Sequence, residues 1–380
     1  MRLGLALVVF CVACGKSSTD AETGGSSGGE SSGGSTQGPS STSPTTGELT
    51  GASMSGDAST STSTSTGVVT GGSSSSSSSS STSGETSSTS SGETGSSAGD
   101  STTAAPACPP AALAAGDHDL EILHDGVKRT AYLHIPASAD LEAPTPLVFN
   151  FPGYLGNGKQ EADFSGMTPK SDEAGFIVVY PDGIENSWNA GDCCGNAMVK
   201  QVDDVGFVRA LVAELQTQLC IDPRRIYATG MSNGGFMTHR LACEAADLFA
   251  AFAPVSAVNG MDDCTPIRPV PLLMFNGTAD FLVIYNGGGN GGTFISAPQT
   301  FAEWAERDAC IGAALPGKTN GGTSCKVHDL CGADVSVTLC THNGMGHCWP
   351  GQPTCLFGTP NTELSANDEM WDFFQQNPLP

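Results

Sequence analysis

A serine enclosed by glycines restricts the fold of this chain more than any other feature. The pentapeptide GMSNG at 230–234 directly follows an apolar run, Ile226–Thr229, and precedes a segment whose apolar residues have helical spacing. A Gly-x-Ser-x-Gly turn between a strand and a helix is the nucleophile elbow of α/β sheets, where larger residues at the glycine positions would clash with neighbouring backbone. The alternative is an ordinary strand-to-helix turn. We interpret Ser232 as a candidate nucleophile.

Short apolar runs alternate with helical patterns along residues 108–380, the part of the chain that we expect to fold. The runs that predict buried strands are Ala131–Ile135, Leu147–Phe151, Phe176–Tyr180, Ile226–Thr229, Ala251–Val255, Val270–Phe275 and Val335–Cys340. Helical spacing covers about 205–219, 234–246, 298–309 and 365–375. This alternation predicts a mostly parallel sheet with helices on both faces. Ligands bind such sheets at the carboxyl ends of the strands, and Ser232 follows one of those ends.

A nucleophilic serine needs a base and an orienting carboxylate, which in this fold follow it in the order acid, then histidine. Asp280 is the candidate acid because it comes just after the predicted strand Val270–Phe275. His347 is the candidate base because it lies in a glycine-rich loop after the last predicted strand. The alternatives are Asp262 and Asp263 for the acid, and His328 and His342 for the base.

Two backbone N–H groups are needed to stabilise the oxyanion of an acyl transfer. The residue after the nucleophile, Asn233, is one candidate donor, and Tyr154 in the loop after Leu147–Phe151 is the other. A simple Pro-Gly turn is the alternative for that loop. Trp188 and Trp349 are candidate substrate-binding residues, since an indole can stack on an aromatic acyl group or a sugar; core packing is an equal alternative.

The first 107 residues have the composition of an export signal and a tether. Residues 1–14 hold one Arg and an apolar run that ends at Cys14, which predicts a lipoprotein-type signal with Cys14 as the lipidated residue; cleavage and secretion without lipid are the alternative. Residues 15–107 are mainly Ser, Thr and Gly, and their few apolar side chains cannot offset the entropy of ordering. We therefore expect a disordered tether and an outer-membrane, cell-surface or secreted protein.

Charge and cysteine content restrict the partners and the compartment. The formal net charge of −24 argues against nucleic acid as a partner. Twelve of the 14 cysteines lie in 108–380, and an even number in an exported chain predicts disulfides. Spacing does not determine the pairing, but we favour Cys325–Cys331, Cys348–Cys355, Cys243–Cys264 and Cys310–Cys340, with Cys108, Cys193, Cys194 and Cys220 paired among themselves.

Two literal motif matches are rejected. Residues 108–380 contain no CxxC pair and no second ligand pair at finger spacing, so no zinc or other metal site is expected. The segment GGGNGG at 287–292 matches the dinucleotide fingerprint, but it follows no strand and opens no apolar helix. We interpret it as a loop near Asp280.

These residues also carry a family resemblance. The chain resembles the secreted polyhydroxybutyrate depolymerase-type esterases, which include bacterial feruloyl and acetyl-xylan esterase-like proteins. The matching stretches are VYPDG at 179–183, WNAG at 188–191, CCG at 193–195, VDDVGF at 202–207, IDPRRIYATGMSNGG at 221–235 and GHCWPG at 346–351. The resemblance covers about 125–375 and implies an α/β-hydrolase fold without a metal or organic cofactor. It places the triad at Ser232, Asp280 and His347. The chain has Pro152-Gly153 where the family usually has His-Gly, and Asn276 where it often has His.

The leading hypothesis is a serine carboxylesterase, expected as a monomer, that acts on feruloyl or acetyl esters of plant polysaccharides. A polyhydroxyalkanoate depolymerase or oligomer hydrolase is the alternative enzyme. A non-catalytic surface binding protein on a hydrolase scaffold is the alternative of another class, and the complete Ser, Asp, His order argues against it.

Overall fold

Ten strands form one sheet in a computed structural model that describes residues 108–288 and 294–380. The strands are β1 (Gly116–His124), β2 (Val127–Ile135), β3 (Thr145–Phe151), β4 (Ile177–Pro181), β5 (Ile221–Met231), β6 (Ala251–Val255), β7 (Leu272–Gly277), β8 (Leu315–Asn320), β9 (Thr323–His328) and β10 (Val337–His342). Their order across the sheet is β1-β2-β4-β3-β5-β6-β7-β10-β9-β8.

The centre of the sheet is parallel and its two edges are antiparallel. The pairs β4–β3, β3–β5, β5–β6, β6–β7 and β7–β10 are parallel, whereas β1–β2, β2–β4, β10–β9 and β9–β8 are antiparallel. All seven predicted strands are present, and they include the whole parallel centre. The sequence prediction missed β1, β8 and β9. These edge strands expose many polar residues, so they lack the continuous apolar runs of buried strands.

Helices cover both faces of the sheet, which confirms the predicted α/β-hydrolase fold. The helices are α1 (Gly158–Ser165), α2 (Met167–Ala174), α3 (Asn196–Val199), α4 (Asp204–Gln218), α5 (Asn233–Glu244), α6 (Ala297–Arg307) and α7 (Ala366–Gln376). The apolar residues of α4, α5 and α6 belong to one buried cluster. Those of α1, α2 and α7 belong to a second cluster. Side-chain caps begin four of the helices: Asn157 for α1, Asp203 for α4, Ser296 for α6 and Ser365 for α7.

A buried ion pair connects the edge of the sheet to a helix and a loop. Arg129 of β2 donates to Asp204 of α4 over 2.7 Å, and both side chains are almost inaccessible to solvent. The guanidinium also lies 3.8 Å from the ring centroid of Phe207. The second carboxylate oxygen of Asp204 accepts from the backbone N–H of Asn189 at 2.8 Å. The pair therefore holds the loop that contains Trp188 against α4.

Six disulfides are present among the described residues: Cys108–Cys220, Cys193–Cys194, Cys243–Cys264, Cys310–Cys331, Cys325–Cys340 and Cys348–Cys355. Two of the favoured pairs, Cys243–Cys264 and Cys348–Cys355, are confirmed, as is the grouping of the four remaining cysteines. The pairs Cys325–Cys331 and Cys310–Cys340 are wrong. Cys325 of β9 lies directly opposite Cys340 of β10 in the antiparallel register, a relation that sequence spacing does not reveal.

Several sequence predictions concern residues outside 108–288 and 294–380. The signal at 1–14 with its Cys14, the tether at 15–107 and most of the segment 287–292 lie outside the described residues. Within 108–288 and 294–380, none of the helices has the length and apolar character that a bilayer crossing requires.

Asp204→Ala tests the buried ion pair. The substitution leaves Arg129 buried without its partner and removes the acceptor for Asn189 N–H, so we expect a loss of about 3–5 kcal/mol in the free energy of unfolding. Urea unfolding of the oxidised protein measures this loss. The control is Lys159→Ala, which removes an exposed pair with Asp119 and is expected to change stability by less than about 1 kcal/mol. If the two substitutions lowered the free energy of unfolding equally, the stabilising role of the buried Arg129–Asp204 pair would be contradicted.

Candidate active site

Ser232 lies at the tight turn between β5 and α5. Its backbone has φ 55° and ψ −122°, a conformation that residues other than glycine rarely adopt and that clusters at functional sites. The side chain makes no capping hydrogen bond to α5, so the hydroxyl is not used to satisfy the helix N-terminus. The turn therefore places a half-buried serine at the carboxyl edge of the sheet.

The glycines on either side of Ser232 allow the turn to approach β3. A Cβ at Gly230 would lie 2.6 Å from the carbonyl oxygen of Phe151, and a Cβ at Gly234 would overlap the same oxygen. Neither position can carry a side chain without displacing backbone. The packing is thus the one that the Gly-x-Ser-x-Gly pattern predicts.

A buried hydrogen bond joins the two predicted partners of the serine. Nδ1 of His347 lies 2.7 Å from Oδ2 of Asp280, and the two residues are 1% and 4% exposed. The other carboxylate oxygen accepts from the backbone N–H groups of Leu282 and Val283, each at 2.9 Å. Because the carboxylate is held in this way and accepts from Nδ1, Nε2 of the imidazole is left as the proton acceptor.

The register of the sheet brings the serine and this pair to one edge. Four residues are neighbours in register across β5, β6, β7 and β10: Met231, Val255, Phe275 and Cys340. Ser232 N–H donates to the carbonyl of Val255 at 3.0 Å. The hydroxyl of Ser256, the residue after Val255, donates to the carbonyl of Cys348 at 3.3 Å. Cys348 directly follows His347. Hydrogen bonds through the end of β6 thus connect the elbow to the histidine loop.

Both candidate oxyanion donors belong to backbone that adjoins the serine. Asn233 is the first residue of α5, and N–H groups of a first helical turn have no partner within the helix. Its side-chain amide bonds both backbone groups of Trp188, at 2.7 and 3.2 Å. The loop after β3 also lies close to Ser232, because a Cβ at Gly153 would lie 3.4 Å from the Cβ of Ser232. Tyr154 is the next residue of that loop.

The two tryptophans are core residues, which corrects their assignment as substrate-binding residues. Trp188 is 1% exposed and its Nε1 donates to the carbonyl of Pro152 at 3.0 Å. Trp349 is fully buried and its Nε1 donates to Asn367 at 2.8 Å. Neither indole has a free face on which a substrate could stack. Trp188 instead braces the loop that carries Tyr154, a role that the sequence analysis missed.

The alternative acids and bases lie in other surroundings. His342 is buried beside Thr323, which bonds its Nδ1 at 2.8 Å, and burial lowers its pKa to about 4. His328 ends β9 and packs on the ring of Phe301. Asp262 and Asp263 are exposed in the loop after β6. Among the candidates weighed from the sequence, His347 and Asp280 are the pair that the fold brings into hydrogen-bonding contact.

Exposed apolar side chains flank this pair. Phe281 and Phe357 are 57% and 47% exposed, and their rings meet edge to face at 5.8 Å. Phe281 directly follows Asp280, and Phe357 pairs with His347 through the backbone at 2.7 Å. Their neighbours Leu282 and Leu356 are also exposed. We call these four residues the aromatic rim; the sequence analysis missed it, although Phe281 adjoins the predicted acid.

A cavity of about 620 Å³ lies beyond the carboxyl end of β6, between the loop that follows β6 and helix α6. Its lining includes Phe294 and four carboxylates: Asp192, Asp262, Glu303 and Glu306. Asp192 N–H donates to Gly260 O at 2.9 Å, which joins this wall to the segment that follows Trp188. The lining can accept hydrogen bonds from hydroxyl groups.

One group of metal-ligand residue types occurs elsewhere in the described part of the chain. Atoms of His124, Asp125 and Asp203 lie within 4.8 Å of one another at the β1–β2 turn and the start of α4. The two carboxylates are exposed and form part of a turn and a helix cap. We assign no ion to them.

Comparisons with known proteins give related sequences. The family profile described as "Prolyl oligopeptidase family" matches residues 163–265, which include Ser232. The chain is 34% identical over 269 residues to feruloyl esterase B of Piromyces equi, covering 66% of this chain and 46% of that protein. It is 26% identical over 254 residues to feruloyl esterase C of Emericella nidulans, covering 65% of this chain and 83% of that protein. The chain thus spans about half the length of the Piromyces protein, and the resemblance to feruloyl esterases is confirmed.

A solved structure that is similar to the chain is an acetyl xylan esterase from Aspergillus awamori. The TM-score is 0.47 at 16% identity, and the alignment covers 68% of this chain and 99% of that one.

The Cys348–Cys355 bridge allows a test of the histidine loop. The bridge closes a short loop next to His347, so we expect Cys348→Ser with Cys355→Ser to lower kcat about 10- to 100-fold through displacement of the imidazole. Closing so short a loop stabilises by no more than about 2.5 kcal/mol on chain entropy. The control is Cys243→Ser with Cys264→Ser, which opens a longer loop and should lower Tm more and kcat less. An unchanged kcat without the Cys348–Cys355 bridge would refute this role.

Proposed function

We propose that this chain, a relative of the feruloyl esterases within the α/β-hydrolases, is a serine carboxylesterase with Ser232 as nucleophile, His347 as base and Asp280 as orienting acid. The observation that carries the proposal is the buried 2.7 Å hydrogen bond between His347 and Asp280, which lies at the same edge of the sheet as the elbow serine. The serine enclosed by glycines is followed in the chain by an acid and then a histidine, both in loops at the carboxyl ends of strands. This is the arrangement of an acyl-transfer site.

The proposed acylation step follows from this arrangement. Oγ of Ser232 attacks the carbonyl carbon of the ester while Nε2 of His347 takes the hydroxyl proton. Asp280 stabilises the imidazolium that forms. The backbone N–H groups of Asn233 and Tyr154 donate to the oxyanion. Collapse of the tetrahedral intermediate breaks the bond to the alcohol oxygen, which receives the proton from His347.

Deacylation repeats the sequence with water. Nε2 of His347 takes a proton from the water that attacks the acyl-enzyme, and the intermediate expels Oγ of Ser232, which recovers its proton. The products are a carboxylic acid and an alcohol, and the residues return to their starting protonation states.

The aromatic rim supports a hydroxycinnamoyl acyl group rather than acetyl. Phe281 and Phe357 each leave much of their ring in solvent next to the acid and the base. An aromatic acyl group can pack on such a pair edge to face or offset-stacked, with a gain beyond simple burial of area. An acetyl group is too small to contact both rings.

The cavity beyond β6 supports a sugar as the alcohol part of the substrate. Carboxylates at Asp192, Asp262 and Glu303 can accept hydrogen bonds from sugar hydroxyls, and Phe294 provides an apolar wall. A plant polysaccharide esterified with hydroxycinnamic acid combines both chemistries. Short polyhydroxyalkanoate esters, the second enzyme candidate, have no hydroxyl-rich part and no aromatic ring.

We place this activity outside the cytoplasm. Six disulfides in the described residues fit an oxidising compartment, and cytosolic thiols are normally kept reduced. The lipidation of Cys14 remains a prediction from the sequence, and it would attach the enzyme to a membrane through the N-terminal tether.

Ser232→Ala and His347→Ala test the reaction. Each should lower kcat for a short p-nitrophenyl ester by about 10⁴- to 10⁶-fold, and the double variant should be little worse because the pair acts as a unit. The matched control is His342→Gln, a buried histidine that is not bonded to Asp280 and should retain most of its kcat. A larger loss for His342→Gln than for His347→Ala would overturn the base assignment.

Phe281→Ala and Phe357→Ala test the acyl group. Each should lower kcat/KM for methyl ferulate about tenfold more than kcat/KM for p-nitrophenyl acetate, because only the aromatic ester loses a ring contact. Leu123→Ala, at an exposed apolar position on β1, is the control. Equal losses on both esters, or faster hydrolysis of hydroxybutyrate oligomers than of methyl ferulate by the unmodified enzyme, would contradict the feruloyl assignment.

A further inference from the structure

The segment from Trp188 to Gly195 contacts both residues whose N–H groups are the proposed oxyanion donors. The side-chain oxygen of Asn233 accepts from Trp188 N–H at 2.7 Å. The side-chain nitrogen of Asn233 donates to the carbonyls of Trp188 and Cys193, at 3.2 and 3.3 Å. On the other side, a Cβ at Gly195 would lie 2.6 Å from Cε2 of Tyr154, so the phenol ring packs directly on this glycine. One short segment therefore connects the two proposed donors.

The loop after β3 makes two further hydrogen bonds to the same part of the chain. Leu155 N–H donates to the carbonyl of Asn186 at 2.8 Å. Trp188 Nε1 donates to the carbonyl of Pro152 at 3.0 Å. These bonds lie before and after Tyr154 in the loop. A displacement of the segment would therefore move the backbone that carries the Tyr154 N–H.

The backbone between Trp188 and Gly195 has to be held by something other than regular structure. It lies between β4 and α3, and its two glycines, Gly191 and Gly195, have φ of 75° and 90°. Glycine loses more conformational freedom on folding than any other residue, so this stretch is costly to order. The bridge between Cys193 and Cys194 closes a small ring through a single peptide group. It therefore restricts the backbone rotations of two residues next to Gly195.

The bridge is buried against Asn233. Cys193 is 4% exposed, and its Sγ lies 3.9 Å from the side-chain nitrogen of Asn233, which also donates to the Cys193 carbonyl. Cys194 is half-buried and precedes the glycine on which the Tyr154 ring packs. The restricted ring thus lies between the contacts to the two proposed donors.

A general stabilising role is the alternative for this bridge. A disulfide stabilises mainly by restricting the unfolded chain, and the effect grows with the length of the loop that it closes. Cys193 and Cys194 are adjacent in sequence, whereas Cys243 and Cys264 are 21 residues apart. The first bridge therefore restricts the unfolded chain much less than the second, and its main effect is expected to be local.

We propose that Cys193 and Cys194 are positioning residues of the oxyanion site: their bridge holds the segment against which the Asn233 side chain and the Tyr154 ring are both packed. The effect on catalysis rests on the proposed esterase function. The packing itself concerns contacts that exist whether or not an ester is the substrate. Small displacements of groups that face the reacting atoms are expensive in rate, so a loosened segment should weaken catalysis without preventing folding.

The main variant is Cys193→Ala with Cys194→Ala, which removes the bridge and adds no buried hydroxyl group. The matched control is Cys243→Ala with Cys264→Ala, which removes a bridge that contacts neither proposed donor. Both are made in the full chain with the other cysteines oxidised. The main variant should lower Tm by less than about 4 °C, and the control should lower it at least about twice as much.

Kinetics give the first measurement. The main variant should lower kcat for a short p-nitrophenyl ester about 10- to 100-fold and leave KM nearly unchanged, because oxyanion donors act in the transition state. A trifluoromethyl ketone that mimics the tetrahedral intermediate should bind more weakly by a similar factor. The control should retain most of its kcat. An intact kcat in the main variant, or a chain that no longer folds without this bridge, would overturn the positioning role.

Tyr154→Ala gives a second variant that keeps every cysteine. It retains the backbone N–H of residue 154 and removes the ring that packs on Gly195. If the bridge acts through this contact, the combination of Tyr154→Ala with Cys193→Ala and Cys194→Ala should have a kcat little below that of the more damaged parent. Losses that multiply in the combined variant would show independent effects and contradict the proposal.

Amide hydrogen exchange separates this proposal from the enzyme assignment. Exchange of residues 153–156 and 187–195 should accelerate without the Cys193–Cys194 bridge and remain unchanged without the Cys243–Cys264 bridge, whether or not an ester is hydrolysed. Unchanged exchange in the main variant would overturn the positioning role. An unmodified protein that hydrolyses no ester, together with the expected exchange pattern, would refute the proposed function and leave the structural role of the bridge established.

Discussion

Close backbone packing at the elbow is the contact on which the rest of the site depends. Gly230 and Gly234 allow the turn after β5 to lie against the Phe151 carbonyl, where any side chain would displace backbone. This approach places Ser232 beside the loop that follows β3 and sets its N–H against the end of β6. Ser232, the loop after β3 and the two neighbouring strands are therefore positioned by one close contact.

Buried hydrogen bonds then fix the loops that sheet geometry alone leaves free. Trp188 Nε1 donates to the Pro152 carbonyl in the loop that carries Tyr154. On the other side, the Asp280 carboxylate and the Phe357 backbone hold His347. Buried polar groups are costly when unpaired, so each of these bonds makes a displaced loop unfavourable. For the proposed reaction, such organisation before the substrate arrives is the condition for strong stabilisation of the oxyanion.

The parallel centre of the sheet was predictable because buried strands are nearly continuous apolar runs, as in Leu147–Phe151 and Ala251–Val255. The β8–β9 hairpin was not, since its residues are largely exposed and carry no such run. The pairing of Cys325 with Cys340 also escaped prediction for this reason. It depends on the antiparallel register between β9 and β10, and local spacing favoured a different partner.

The sequence by itself determined the fold class, the elbow serine and a short set of candidate acids and bases. These follow from local patterns: periodic burial, glycines beside a serine, and chain order. Only the tertiary structure decided that the favoured His347 and Asp280 make a buried contact and that Trp188 and Trp349 lie in the core. Those outcomes depend on which residues from distant parts of the chain share a buried space, and local patterns do not encode that proximity.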